Sequence, residues 1–347
     1  ALGIAQTAAI FGALGLSGLV VLVGTSWPAL INREIRWPVA GLWAVVIVAA
    51  WGGTLVRAPE PGRVHIAIVQ PNIGQADKWS PDAEARNVQR YMALSKQRTS
   101  KERRLLLWSE AAVQFPLDED PQLRTALASV LQKDDMLLTG GVKAERNAQG
   151  EAVGARNSLF VLDSKGDILA RYDKNRLVPF GEYVPLRGLM EVIGVTRLVP
   201  GALDFWPGPG PQTLALPHFP PVSVRICYEI IYAQDSIARP RRAQWILNSS
   251  NDAWFSDVGA DMHLAQARLR AIEHRLPVAR ATPTGISAVI DARGHVIAQM
   301  GRGQSGMLET RLPLPGPVGP YARLGDISAF IFLLGLILAA IYAMKRY

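Results

Sequence analysis

The stretch Val222-Ser223-Val224-Arg225-Ile226-Cys227-Tyr228-Glu229-Ile230 is a run of β-formers that ends at the chain's one cysteine and continues into a segment with the look of a helix. A cysteine at such a junction presents its thiol while its backbone is fixed. A helix starting there would favour a thiolate and a developing oxyanion. The competing reading is a buried structural cysteine, the commoner fate of an unpaired one. With one cysteine no internal disulfide exists, so Cys227 is either inert or a free functional thiol.

The same strand-to-helix grammar extends outward in both directions. Val64-His65-Ile66-Ala67-Ile68-Val69-Gln70, stopped by Pro71, is a first strand, and Leu105-Leu106-Leu107-Trp108 a short buried one. Residues 82–98 lack Pro and Gly and suit an amphipathic helix, and a further helix is expected from about Pro121 to Gln132. Further strands are expected at 136–139, 158–162, 168–172, 222–227, 245–247, 278–281, 286–290 and 296–300. A helix over 260–275 puts Ala265, Leu269, Ile272 and Leu276 on one face. The reading is α/β, with sheets covered by helices.

Two further residues carry potential chemistry. Glu110 directly follows the apolar strand, where a carboxylate is ordinarily just exposed. Lys174 stands in Tyr172-Asp173-Lys174-Asn175-Arg176-Leu177-Val178-Pro179-Phe180-Gly181-Glu182-Tyr183, where the apolar Leu-Val-Pro-Phe would desolvate a cation unless Glu182 or another carboxylate compensates it.

Together, Glu110, the Lys174–Glu182 stretch and Cys227-Tyr228-Glu229 resemble, in order, the carbon–nitrogen hydrolase (nitrilase-like) superfamily over roughly residues 64–310. That resemblance implies an αββα sandwich and a Glu-Lys-Cys triad of Glu110, Lys174 and Cys227. With Trp108-Ser109-Glu110 and Ser250-Asn251-Asp252-Ala253-Trp254-Phe255 added, the pattern is similar to the apolipoprotein N-acyltransferase family, which joins such a domain to membrane spans. By the same analogy Glu182 orients Lys174, Glu229 supports the site, and Trp79 and Tyr228 shape a lipid pocket, although core packing accounts equally for the last two.

Composition fits a partly lipid-embedded chain: 347 residues, 49% hydrophobic, 19% charged, with a mean hydropathy of +0.13. Residues 1–32 carry no charge, 37–56 are similar, and 327–344 form a third apolar run ending in Lys345 and Arg346; about 20 apolar residues suffice to cross a bilayer. The expected organisation is therefore two transmembrane helices in 1–56, a catalytic domain in 57–326, and a C-terminal helix with a cytoplasmic tail in 327–347. A cleavable signal peptide is the alternative for the first run, which is long for one and lacks a basic start. A chain that opens on Ala1 and enters a span at once is expected to continue a longer membrane protein, and the family's additional N-terminal spans are absent here. Arg33, Arg36, Lys345 and Arg346 place the short loop and the tail in the cytoplasm and the large domain outside it, although Arg57 and Arg63 count against this.

The net charge of +8 suits anionic headgroups or merely a solvated basic surface. No nucleic-acid motif accompanies it. No metal-ligand spacing, phosphate loop or dinucleotide fingerprint is present, so no cofactor is expected. The family resemblance implies a phospholipid acyl donor and, as acceptor, the α-amino group of an S-diacylglyceryl cysteine at a lipoprotein N-terminus, in a bacterial inner membrane with the catalytic domain on the periplasmic side. A membrane-tethered amidase or nitrilase acting on a small amide is the alternative enzyme, and a catalytically dead binding module the non-enzymatic one. The apolar stretch 183–206 is either a buried helix and turn or an arm facing the bilayer, with Leu189, Met190 and Ile193 as its test positions.

Overall fold

A computed structural model describes residues 2–30, 36–55, 60–78, 83–186, 204–234, 237–238 and 242–344. Trp79, Arg33, Arg57, Lys345, Arg346, Leu189, Met190 and Ile193 lie outside the described residues.

Twelve described strands form two six-stranded sheets. The first contains β1 (Pro61–Gln70), β2 (Arg104–Leu107), β3 (Met136–Arg146), β4 (Ala152–Leu162) and β5 (Ile168–Asp173). The second contains β6 (Thr213–Leu216), β7 (Phe219–Ile226), β8 (Trp245–Ser249), β9 (Val278–Ala281), β10 (Ser287–Ile290) and β11 (Val296–Met300); β12 (Gly306–Pro313) returns to the first sheet beside β1. β1, β2 and β3 run parallel, as do β7, β8 and β9, while their outer neighbours are antiparallel.

The central strands are rich in apolar residues because both of their faces are covered, and the polar side chains they carry, such as Arg225, Asn248 and Arg280, are buried with them. Along β1, Ile66 and Ile68 pack between the sheets with Leu105, Leu107, Val224, Ile226 and Leu247. Ala67 and Val69 point the other way, joining Leu106, Trp108, Val88, Tyr91 and Leu127. Val88 and Tyr91 come from the helix Ala83–Ser95 and Leu127 from Pro121–Ala128. On the far side, Ile246, Val278 and Ala288 meet Ala267 and Ala271 of the long helix Asp257–His274. Four layers result, α-β-β-α, as expected.

Two expectations change. Of the expected face, Ile272 and Leu276 are buried and Leu269 half-buried, but Ala265 is exposed, and His263, Ala267, Arg270, Ala271, Glu273 and His274 complete the buried set. Apolar periodicity misplaces a face whose polar side chains find partners inside the protein. The continuation after Cys227 is a five-residue 3₁₀ turn, Cys227–Ile231, too short to supply the dipole of a helix.

One described helix, Ala8–Ser26, is long and apolar enough to cross a membrane. It is broken at Gly12, whose φ of 68° frees the next turn's N–H groups, and the backbone N–H of Ala13 donates to Oε1 of Glu273 at 2.7 Å. A side chain at Gly12 would strike the ring of Tyr321. Just before the break, Phe11 stacks on Phe332 of the C-terminal helix Ile327–Met344 at 4.3 Å. Arg36–Leu55 forms another helix whose apolar part, Val39–Val48, is shorter, as is Ile327–Leu338. Of the three spans expected from composition, two in 1–56 and one in 327–347, one helix meets the length requirement among the described residues.

Candidate active site

Ligand sites of open α/β sheets lie beyond the carboxyl ends of parallel strands. Here Glu110 follows β2, Cys227 follows β7 and Ser250 and Asn251 follow β8, while Lys174 follows the antiparallel β5. The two sheets face each other, so these ends converge.

Lys174 is 2% exposed and Glu110 6%, which makes the pairing decisive, since a buried charge needs a partner. Lys174 Nζ donates to Oε1 of Glu110 at 3.2 Å and to Oε1 of Glu182 at 2.9 Å. Burial works against the cation, but Glu110, Glu182 and the neighbouring sulfur outweigh it and hold the ammonium well above its ordinary range. Lys174 is thus charged, as the sequence led one to expect of a lysine with compensating carboxylates. Glu182 is itself fixed through Oε2, which accepts from the backbone N–H of Val178 at 2.8 Å.

Asn157 of β4 had no signal in the sequence. Its Nδ2 donates to the same oxygen of Glu110 at 2.8 Å and of Glu182 at 2.9 Å, and its carbonyl accepts from the backbone N–H of Lys174. Glu110 is set from below by Gly140 of β3. A side chain at Gly140 would lie 2.5 Å from Ser109 O and 2.7 Å from Glu110 Cα. Only glycine lets the strands approach this closely.

Cys227 adopts φ 48°, the left-handed region that costs a side-chain-bearing residue on the order of 1–3 kcal/mol. Burial and the Glu110 carboxylate push its thiol up to about 12, opposed by Lys174, the Ser250 hydroxyl and the Asn251 N–H. The cysteine therefore rests protonated, contrary to the thiolate expected from a helix terminus, because burial and an adjacent carboxylate dominate where no helix stands. The donors that would receive a thiolate come instead from the turn after β8.

Glu229 serves the backbone rather than the sulfur. Oε1 accepts from Tyr172 Oη at 2.9 Å and from the backbone N–H groups of Asn175 at 2.7 Å and Arg176 at 3.1 Å, while Oε2 accepts from Ile226 N–H at 2.9 Å. It fastens the cysteine turn to the lysine loop. Tyr228 is half-buried and packs edge-on to Tyr232 at 5.2 Å. The chain returning at 204–208 closes the site from one side: Phe205 N–H donates to Glu182 O at 3.1 Å, Trp206 N–H to Ala155 O at 2.7 Å and Gly208 N–H to Lys174 O at 2.8 Å.

A buried proton acceptor beside a thiol and a fixed cation can activate a sulfur nucleophile and hold an oxyanion. The arrangement suits attack on a carbonyl carbon.

The carbon–nitrogen hydrolase family model matches residues 65–316. Apolipoprotein N-acyltransferases from Rhodopseudomonas palustris and Bradyrhizobium diazoefficiens are 36% and 34% identical, each over 99% of this chain and 67% of their own length. One from Allorhizobium ampelinum is 36% identical over 84% of this chain and 57% of its own. The chain thus spans about two thirds or less of these relatives. Among solved structures, an amidase of the nitrilase superfamily from Nesterenkonia is similar in fold, with 19% identity, a TM-score of 0.52, and 74% of this chain and 94% of that one covered.

Proposed function

From a chain that belongs to the carbon–nitrogen hydrolase family, and within it to the apolipoprotein N-acyltransferases, we infer an enzyme that moves an acyl chain from a phospholipid to the α-amino group of a lipoprotein's N-terminal S-diacylglyceryl cysteine. The observation that carries the chemistry is the meeting of Glu110, Lys174 and Cys227 in one buried cluster.

In the first half-reaction Glu110 takes the Cys227 proton as the sulfur attacks the ester carbonyl. A C–S bond forms, and the tetrahedral oxyanion is held by the Lys174 ammonium. Collapse breaks the ester C–O bond, and Glu110 returns the proton to the leaving lysophospholipid oxygen. In the second half-reaction the neutral α-amine attacks the thioester, passing its proton to Glu110. The C–N bond forms, the C–S bond breaks, and the proton returns to sulfur. A resting thiol beside its base suits this cycle, since the charge is created only when a carbonyl is present to receive it.

The apolar helix Ala8–Ser26, with Val20 and Val21 more than half exposed, supports attachment to a membrane, as do the exposed Phe330, Ile331 and Leu334 of the C-terminal helix. On this reading 1–56 and 327–347 anchor a catalytic domain, 57–326, on the periplasmic side of an inner membrane.

Purified protein incubated with phospholipid should gain the mass of one acyl chain on Cys227, and an S-diacylglyceryl peptide should remove it as an N-acyl product. An adduct released to water as fatty acid at the same rate with and without the peptide would favour the hydrolytic amidase reading instead.

A further inference from the structure

A buried polar cluster of His263, Arg280, Asp252 and Ser250 lies behind Cys227. His263, in the second turn of the helix Asp257–His274, is 5% exposed. Its Nε2 lies 3.1 Å from the carbonyl oxygen of Cys227. Its Nδ1 lies 3.1 Å from Nη2 of Arg280 and 3.3 Å from Oδ1 of Asp252.

The partners determine where the ring carries its proton. Arginine has only donors, so Nδ1 accepts from Arg280; a carbonyl oxygen only accepts, so Nε2 carries the hydrogen. Both ends call for the same neutral tautomer. Asp252 does not compete strongly for Nδ1, because its carboxylate is engaged by Arg280 Nη2 at 2.6 Å from each oxygen and by the Ser250 hydroxyl at 3.0 Å. Burial and the Arg280 charge also depress the imidazole's basicity.

The left-handed turn at Cys227 is then gripped on both sides. Before it, the N–H of Ile226 is held by Glu229; after it, the carbonyl of Cys227 faces His263. A strained residue persists where its surroundings over-determine it. The Asp252–Arg280 pair that fixes His263 also anchors Ser250, whose hydroxyl donates to Asp252 Oδ1 and whose side chain neighbours the sulfur. One rigid cluster therefore sets both the backbone of the nucleophile and a polar neighbour of its side chain.

We propose that His263 is a positioning residue for the nucleophile, donating through Nε2–H to the Cys227 carbonyl and so holding the thiol in its reactive orientation. The proposal rests on the reading of Cys227 as the nucleophile.

The test compares His263→Leu, His263→Gln and His263→Asn in the full chain in detergent, scoring the rate of acyl-enzyme formation at saturating phospholipid by mass spectrometry. The glutamine amide reaches where Nε2 lies; the asparagine amide is one bond too short. The leucine and asparagine variants should acylate about tenfold more slowly, the rate equivalent of roughly one lost hydrogen bond, with the donor KM unchanged. The glutamine variant should recover most of the rate. If the leucine variant does not fold, the glutamine and asparagine pair decides alone. Equal rates in those two, or wild-type acylation by a folded leucine variant, would overturn the proposal. Alkylation of Cys227 by iodoacetamide needs no lipid, so the same ranking of variants there would support positioning even if the acyl donor were something other than a phospholipid.

Discussion

At Cys227 the Glu110 carboxylate has two opposed effects: in the proposed cycle it is the base that takes the proton, and its negative charge helps to keep the proton on sulfur. Replacing it separates them. Glu110→Gln should slow acyl-enzyme formation by about 100-fold or more through loss of the base, yet shift the pH midpoint for iodoacetamide alkylation of Cys227 downward, because the charge that raised the thiol is gone. An upward shift would show that Glu110 acts differently on the sulfur. Cys227→Ala should abolish acylation, and Cys227→Ser nearly so, in the same mass assay. Asn157→Leu leaves Oε1 of Glu110 and of Glu182 without their shared amide donor. A loss of about tenfold or more in acylation rate is expected, since hydrogen bonds to charged groups contribute about 1.5–3 kcal/mol. That Glu110, Lys174, Glu182 and Cys227 are neighbours could be anticipated because each stands in a stretch whose residue types are unusual together. The parts of Asn157 and His263 could not, since an asparagine inside an ordinary strand and a histidine on an ordinary helix show their use only when distant segments meet them.

The helix Asp257–His274 carries its polar contacts at both ends, His263 toward the cysteine and Glu273 toward the broken apolar helix. Burial raises Glu273 to about 7 against the opposing pull of Arg270 and the Ala13 N–H. A carboxyl raised in the folded state binds more protons there than when unfolded. Its contribution to stability is therefore present below the usual glutamate range and is lost as pH rises toward about 7. Glu273→Gln keeps an acceptor for Ala13 without the titration. The difference in Tm, variant minus parent, should accordingly grow between pH 5 and about 7.5, contributions from other groups cancelling in the subtraction. A flat difference would mean that this carboxyl does not change its ionisation on folding. At the same scale, the buried strands β1, β2, β7 and β9 were readable from their β-branched and apolar residues, even though Ser223, Arg225 and Arg280 interrupt β7 and β9. β6 and β12 were not, because they lie at or beside the sheet margins: β6 has four residues before Pro217, and β12 interrupts its apolar residues with Glu309, Thr310 and Arg311.

Across the whole molecule, the candidate catalytic cluster draws on both sheets, so its geometry depends on their mutual packing rather than on any one loop. The segment between Leu186 and Asp204 leaves from beside Glu182 and returns beside it, with Phe205 N–H on the Glu182 carbonyl and Gly208 N–H on that of Lys174. Replacing residues 187–203 with a short Gly-Ser linker should leave iodoacetamide alkylation of Cys227 within about twofold and Tm nearly unchanged, because closing a loop whose ends already touch costs little more at one length than another. A marked slowing would show that the segment itself holds the site. Two backbone hydrogen bonds thus act as a clasp. A protease that cuts between positions 187 and 203 should yield two pieces that travel together and still alkylate at Cys227, and new chain termini opened there by circular permutation should be accepted as readily as at an ordinary surface loop.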